Sequence, residues 1–301
     1  MRPEAQTSGT GAVTRTPGSA RDVVREHQTV AFFAGTLLLS WTAWLVAYAA
    51  TDGSMSQLYL IPGAFGPMVA AALVTRVSGG SVRTWAAGLV DWRVRPRWYL
   101  LALALPLLLV VGSVGTTLVL AGAPLEPSRL VGRLPVYPLV LGFVFLVGGG
   151  QEEFGWRGFA LPRLQRTYGA LVASLVVGGV WAVWHLPLFF VGLARNASGD
   201  FLLYAVLVLG VSVLLTWCYN STGGGLLVAM LFHAGVNAAG GLVPAGEAVV
   251  ERSPVLVDAG MTVGVWLAAV VVVVLRGPAT LSDRPLPGRE RTSDPMDATR
   301  P

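Results

Sequence analysis

Lysine is absent from this chain. All 21 basic residues are arginine, a usage that speaks of a GC-rich coding sequence rather than of mechanism. Cysteine is nearly absent too: Cys218 stands alone, inside an apolar run. Disulfide frameworks and cysteine-ligated zinc sites are thereby excluded. Charge is scarce. Asp, Glu, Lys and Arg make up 12% of the residues, about half the ~25% of a soluble domain. No GxxxxGK[ST] phosphate loop and no HExxH zinc motif occurs. What is abundant is apolar surface: 54% of the 301 residues are hydrophobic, the composition of a membrane protein. The net charge of +5 lies mostly in tails and loops. It reads as a topology signal, not as a nucleic-acid footprint.

A spanning helix needs about 20 mostly apolar residues. The segments 29–50, 58–75, 98–121, 135–161, 170–194, 201–219, 225–243 and 259–275 meet this. The sequence therefore predicts an all-α polytopic membrane protein, a bundle of about eight transmembrane helices. Residues 1–28 are polar and are expected to be a disordered cytoplasmic arm; 276–301, rich in Pro and Arg, a disordered cytoplasmic tail. No short apolar segment with a small-residue cleavage site precedes the first span, so a cleaved leader is not expected. The second span holds Pro62, Gly66 and Pro67 and is expected to kink. The loop 76–97 carries Arg76, Arg83, Arg93, Arg95 and Arg97, and the tail carries Arg276, Arg284, Arg289, Arg291 and Arg300. That bias puts both termini in the cytoplasm; Arg129 and Arg133, in an outer loop, dissent mildly. The stretch 83–98 mixes tryptophan with arginine, as either a flat interfacial segment or an ordinary anchoring loop does. The expected location is a bacterial plasma membrane.

Within this apolar chain, residues 148–159 read GGGQEEFGWRGF. Apolar character resumes after the charges, so the fourth helix is predicted to run on to about Leu161. That places Glu152, Glu153 and Arg157 inside the membrane. Glu153 and Arg157 stand at i and i+4, on one helix face. Two of the three histidines, His185 and His233, fall in the fifth and seventh spans, and Asn237 lies one turn beyond His233. At ~1.5 Å per residue, Glu152, His185, His233 and Asn237 come to lie roughly 12–22 Å above the cytoplasmic helix ends. Polar groups at that depth are costly and mark a functional site by default.

A carboxylate beside a histidine can take a proton from water. A second histidine and an amide can donate to a developing oxyanion. Arg157 would hold Glu153 ionised and leave Glu152 for chemistry. The set suits hydrolysis of a peptide bond, without a required cofactor. Zinc held by Glu152, His185 and His233 is the alternative. Each group also has a plain structural reading: Glu153–Arg157 as a satisfied ion pair, a membrane histidine or asparagine as glue between helices, Trp181 and Trp184 as wall.

In these residues the chain resembles the CPBP intramembrane endopeptidases, the family of CAAX prenyl proteases and bacteriocin-processing or Abi proteins. The EExxxR motif is present as Glu152-Glu153-Phe-Gly-Trp-Arg157, and HxxxN as His233-Ala-Gly-Val-Asn237. FxxxH is present as Trp181-Ala-Val-Trp-His185, where tryptophan replaces the family's phenylalanine. The resemblance implies that Glu152 activates water, that Glu153 and Arg157 support it, and that His185, His233 and Asn237 complete the site. It implies a glutamate-dependent hydrolase, a family formerly classed as metalloproteases. The expected partners are the lipid bilayer and a peptide or membrane-protein substrate. A leader peptide, pheromone or membrane protein is expected rather than a prenylated one. A non-catalytic membrane scaffold or immunity protein that binds peptides in the same site is the alternative function. A proton-coupled transporter is disfavoured by the lack of internal repeats and of ionisable residues in the other spans.

Overall fold

A computed structural model describes residues 19–90, 92–120, 122, 131–193, 198–240 and 253–287. Every regular element among them is helical. Among the described residues six helices are long and apolar enough to cross a membrane: α2 (Gln28–Ala50), α3 (Gln57–Val77), α5 (Pro96–Leu120), α8 (Ala170–Phe190), α9 (Phe201–Ser221) and α11 (Pro254–Arg276). The others are α1 (Ala20–Glu26), α4 (Val82–Leu89), α6 (Tyr137–Val147) and α10 (Leu226–Ala239), with the composite α7 (150–164). Of the predicted spans, the fourth and seventh are therefore not single long helices.

The helices are apolar outside and mixed inside. On α2 the buried residues are Phe32, Thr36, Ser40 and Trp44, one per turn. Val30, Leu38, Leu45 and Val46 face outward. Without water to drive apolar faces together, small and polar side chains do the joining. The expected kink in α3 shows how. Pro67 has no N–H to offer the Gly63 carbonyl four residues back. Ser40 Oγ fills that place from α2, at 2.7 Å, and Trp44 Nε1 donates to Leu60 O at 2.9 Å. Gly66 permits this approach, since a Cβ there would sit 1.9 Å from Ser40 Oγ.

The fourth predicted span differs most from expectation. It is not continuous to Leu161. α6 ends at Val147, and Gly149 takes φ of 148°, a conformation side chains rarely adopt. The chain then re-forms as a 3₁₀ turn (Gly150–Glu152), an α turn (Glu153–Gly155), a π turn (Trp156–Ala160) and a last α turn (Leu161–Leu164). π turns are rare and often accompany functional sites. The Gly158 carbonyl, four residues before Pro162 and so without an α-helical donor, accepts from Trp85 Nε1 of α4 at 3.2 Å. α4 and the first turn of α5 are the regular helices among the described residues of 83–98, the stretch where a flat interfacial segment was one of two expectations.

α9 lies centrally, packed against α8, α10 and α11, while α10 packs on α5 and α6. Composition drew the domain limits at 28 and 276, and the described structure crosses both. Residues 20–26 form α1, capped by Ser19 and Asp22, with Arg21 Nε donating to Val77 O of α3. Residues 277–287 fold back: Leu281 and Leu286 are buried, and the Ala279 and Pro278 carbonyls accept from the N–H groups of Ala170 and Leu171. Those are first-turn donors of α8, which no intrahelical bond can serve. Most of the predicted arm and tail, Arg129, and the arginines beyond Arg284 lie outside the described residues.

Candidate active site

The break at Gly149 turns α7 into the centre of the bundle. Neighbouring residues on a helix point about 100° apart, so Glu152 and Glu153 face different partners. Glu153 and Arg157 are fully buried. Arg157 Nη1 lies 3.1 Å from both Glu153 carboxylate oxygens, the i,i+4 pair the spacing predicts. Arg157 Nη2 donates to Ser212 Oγ of α9 at 2.9 Å, and Ser212 Oγ donates to Ser174 O of α8 at 2.8 Å. Glu153 Oε1 also accepts from His233 Nδ1 of α10, at 2.7 Å. One ion pair thus ties α7, α8, α9 and α10 together.

Glu152 looks the other way, into a cavity of about 600 Å³. Its Oε2 accepts from Trp181 Nε1 at 3.0 Å and, at a longer 3.4 Å, from Trp156 Nε1. His185, His233, Asn237 and Trp184 line the same cavity. Four of the six residues expected at the site therefore share one chamber with apolar walls. Glu153 and Arg157 stand behind it.

The Nδ1 of each histidine has a defined partner. His185 Nδ1 lies 2.9 Å from Trp181 O, which can only accept, so Nδ1 carries the proton. The ring sits between Trp184, with centroids 4.6 Å apart, and Tyr204, at 5.2 Å. His233 Nδ1 faces the Glu153 carboxylate, so its Nε2 is a base in the neutral ring and a donor in the imidazolium. Asn237 Nδ2 donates to Gly148 O at 3.0 Å and so clamps the chain break as well as lining the cavity. Gly149 faces this pair closely: a Cβ there would lie 2.7 Å from Asn237 Nδ2 and 2.9 Å from His233 Nε2.

A metal would need ligands that converge. Among the described residues no three His, Cys, Asp or Glu side chains do so, the trio Glu152, His185 and His233 included.

Several contributors escaped the sequence. Trp181 was read as wall, yet its Nε1 donates to Glu152 Oε2 at 3.0 Å. Its place at i−4 from His185 was the available signal. Gln151 accepts from Gly149 N at 3.0 Å and donates to Ala64 O at 3.3 Å, bracing the break. Ser212 is one serine in an apolar run and gave no signal. Asp258 lies just before the last predicted span. It falls within α11, is buried, and lines the far end of the cavity, where it accepts from Ser198 N at 2.7 Å. It is an ionisable residue inside a membrane helix where none was expected.

Residues 134–239 match the family model described as Type II CAAX prenyl endopeptidase Rce1-like. That range contains all six expected site residues. The chain is also similar to the CAAX prenyl protease 2 of Methanococcus maripaludis, 23% identical over 226 residues that cover 68% of this chain and 81% of the relative. Both findings support the CPBP/CAAX protease family that the motifs resemble.

Proposed function

We propose that this multi-pass membrane protein, its centre matching the Rce1-like domain, is an intramembrane endopeptidase in which Glu152 activates the attacking water. One observation carries the reading: the Glu152 carboxylate is held by the Trp181 indole on the wall of a chamber that two histidines also line. Glu152 takes a proton from water as the oxygen bonds to the scissile carbonyl carbon. Hydrogen bonds from cavity donors stabilise the resulting oxyanion. Asn237 keeps a second amide hydrogen for this, and Trp184 Nε1 is a buried donor with no hydrogen-bond partner. Collapse breaks the C–N bond, and the proton held by Glu152 passes to the departing amine.

Glu153, Arg157 and Ser212 serve at one remove. They fix His233 and keep a balanced pair of charges beneath the chamber. The reaction needs no metal in this scheme. The substrate is a membrane-associated protein or peptide in a bacterial plasma membrane. Eight crossings with both termini cytoplasmic fit the arginine bias. A reporter on the C-terminus should read cytoplasmic, and an external signal would reject that topology.

The test is cleavage by the reconstituted full chain of a panel containing CAAX-type C-terminal peptides, leader peptides and membrane-protein segments. Glu152→Gln and His185→Ala should abolish turnover. Persistent cleavage in both would remove the assignment. A chelator should leave activity unchanged; loss restored by zinc would reject the metal-free scheme.

A further inference from the structure

A second cavity, of about 440 Å³, opens at the end of the bundle opposite Asp258. Arg95 and Arg97 enter it from the start of α5, Trp217 from α9, Arg276 from the end of α11, and Asp283 and Arg284 from the returning segment. Arg276 pairs with Asp283. Among the described residues Arg95, Arg97 and Arg284 have no acidic partner. The cup therefore gathers an excess of guanidinium groups in one concave place, at the arginine-rich face that the charge bias assigns to the cytoplasm.

The cup is not closed below. An apolar trough of about 350 Å³ adjoins it between α5, α9 and α11, walled by Leu105, Leu214 and Val271 among others. Trp217 and Arg276 line both cavities. Trp217 Nε1 is buried and has no hydrogen-bond partner. A charged cup joined to an apolar trough, with an unused donor where they meet, has the polarity of a phospholipid.

We propose that this site binds one anionic phospholipid, its phosphodiester among Arg95, Arg97 and Arg284 and an acyl chain along the trough. Guanidinium groups match phosphate oxygens in geometry and charge. Basic pockets between helices on the cytoplasmic side suit anionic headgroups. Free phosphate would share the cup and leave the trough unfilled. The lipid would fasten the returning segment 277–287 to α5, α9 and α11. The proposal does not depend on catalysis.

The test uses the full chain in neutral detergent, with bound lipid counted by native mass spectrometry. Phosphatidylglycerol should bind as one molecule per chain, about tenfold or more tighter than phosphatidylcholine of equal chain length. The double change Arg97→Gln with Arg284→Gln should weaken it about tenfold or more. Arg83→Gln removes an exposed charge outside the cup and should leave binding unchanged. Val271→Trp fills the trough without altering charge and should also weaken binding. Arg83, Arg97 and Arg284 are exposed polar sites, and Val271 lines the trough at an exposed rim, so folding should survive. Inorganic phosphate at the lipid concentration should not displace the lipid. Equal binding of both lipids, equal loss from Arg83→Gln, indifference to Val271→Trp, or displacement by phosphate would each overturn the proposal. Proteolysis is not the readout, so failure here leaves the endopeptidase reading untouched.

Discussion

Trp181 Nε1 lies 3.0 Å from Glu152 Oε2, and the same indole ring stands 4.9 Å from the His233 ring and 5.4 Å beneath the Arg157 guanidinium. One side chain thus touches the carboxylate on the cavity wall, a histidine of α10 and the buried cation behind both. The motif that Trp181 opens has phenylalanine in the family it resembles, and phenylalanine has no N–H. Trp181→Phe should keep the packing and lose one hydrogen bond to a charged group, about 1.5–3 kcal/mol where such bonds are measured. Turnover should fall about tenfold to a hundredfold with the fold retained. Trp181→Ala removes the ring as well and should cost about 3–5 kcal/mol of stability. Turnover assays paired with unfolding in detergent separate the two.

The adjacent glutamates should fail in opposite ways. Glu152→Gln keeps shape on a cavity wall, so the protein should fold and lose activity. Glu153→Gln strands Arg157, fully buried, beside a neutral partner. Breaking a buried pair by removing one member costs about 3–5 kcal/mol. Thermal unfolding should therefore move far more for Glu153→Gln than for Glu152→Gln. Equal shifts would mean that the labour is not divided this way.

Gly149→Ala should be disabling. Its φ of 148° is strained for alanine, and the added Cβ meets Asn237 and His233. Backbone strain of this kind costs about 1–3 kcal/mol, and relief would move α6 or the two side chains. Activity should fall more steeply than stability, read on the same sample.

Ser40 and Pro67 should be coupled. Ser40→Ala strands the Gly63 carbonyl, and Pro67→Ala supplies the N–H that the kink lacks. Hydrogen bonds between membrane helices average about 0.6 kcal/mol and reach about 1.7. Ser40→Ala should cost an amount in that range alone and less in the Pro67→Ala background. A double-mutant cycle of unfolding free energies checks it, and additivity would contradict the account.

Much of this was legible without coordinates. Long apolar runs named the helices α2, α5, α8, α9 and α11, because hydrocarbon tolerates little else. Spacing of four named pairs that the structure brings together: Glu153 with Arg157, and His233 with Asn237 against Gly149. The break at Gly149 was not legible. Hydropathy averages over a window and sees three glycines as continuous apolar chain. Ser212 and Asp258 were silent for a related reason: one polar residue near a helix end or within a run has no periodicity to betray it.

The sequence by itself determined that this chain is helical, lives in a membrane, and carries two carboxylates, two histidines and an amide on separate segments of it. The cost of burying those groups in hydrocarbon makes their presence informative wherever they fall. Only the tertiary structure decided that Glu152 borders the chamber while Glu153 holds Arg157 and His233. That choice turns on a single backbone dihedral at Gly149 and on which neighbours pack around α7, and neither is a property of residue type.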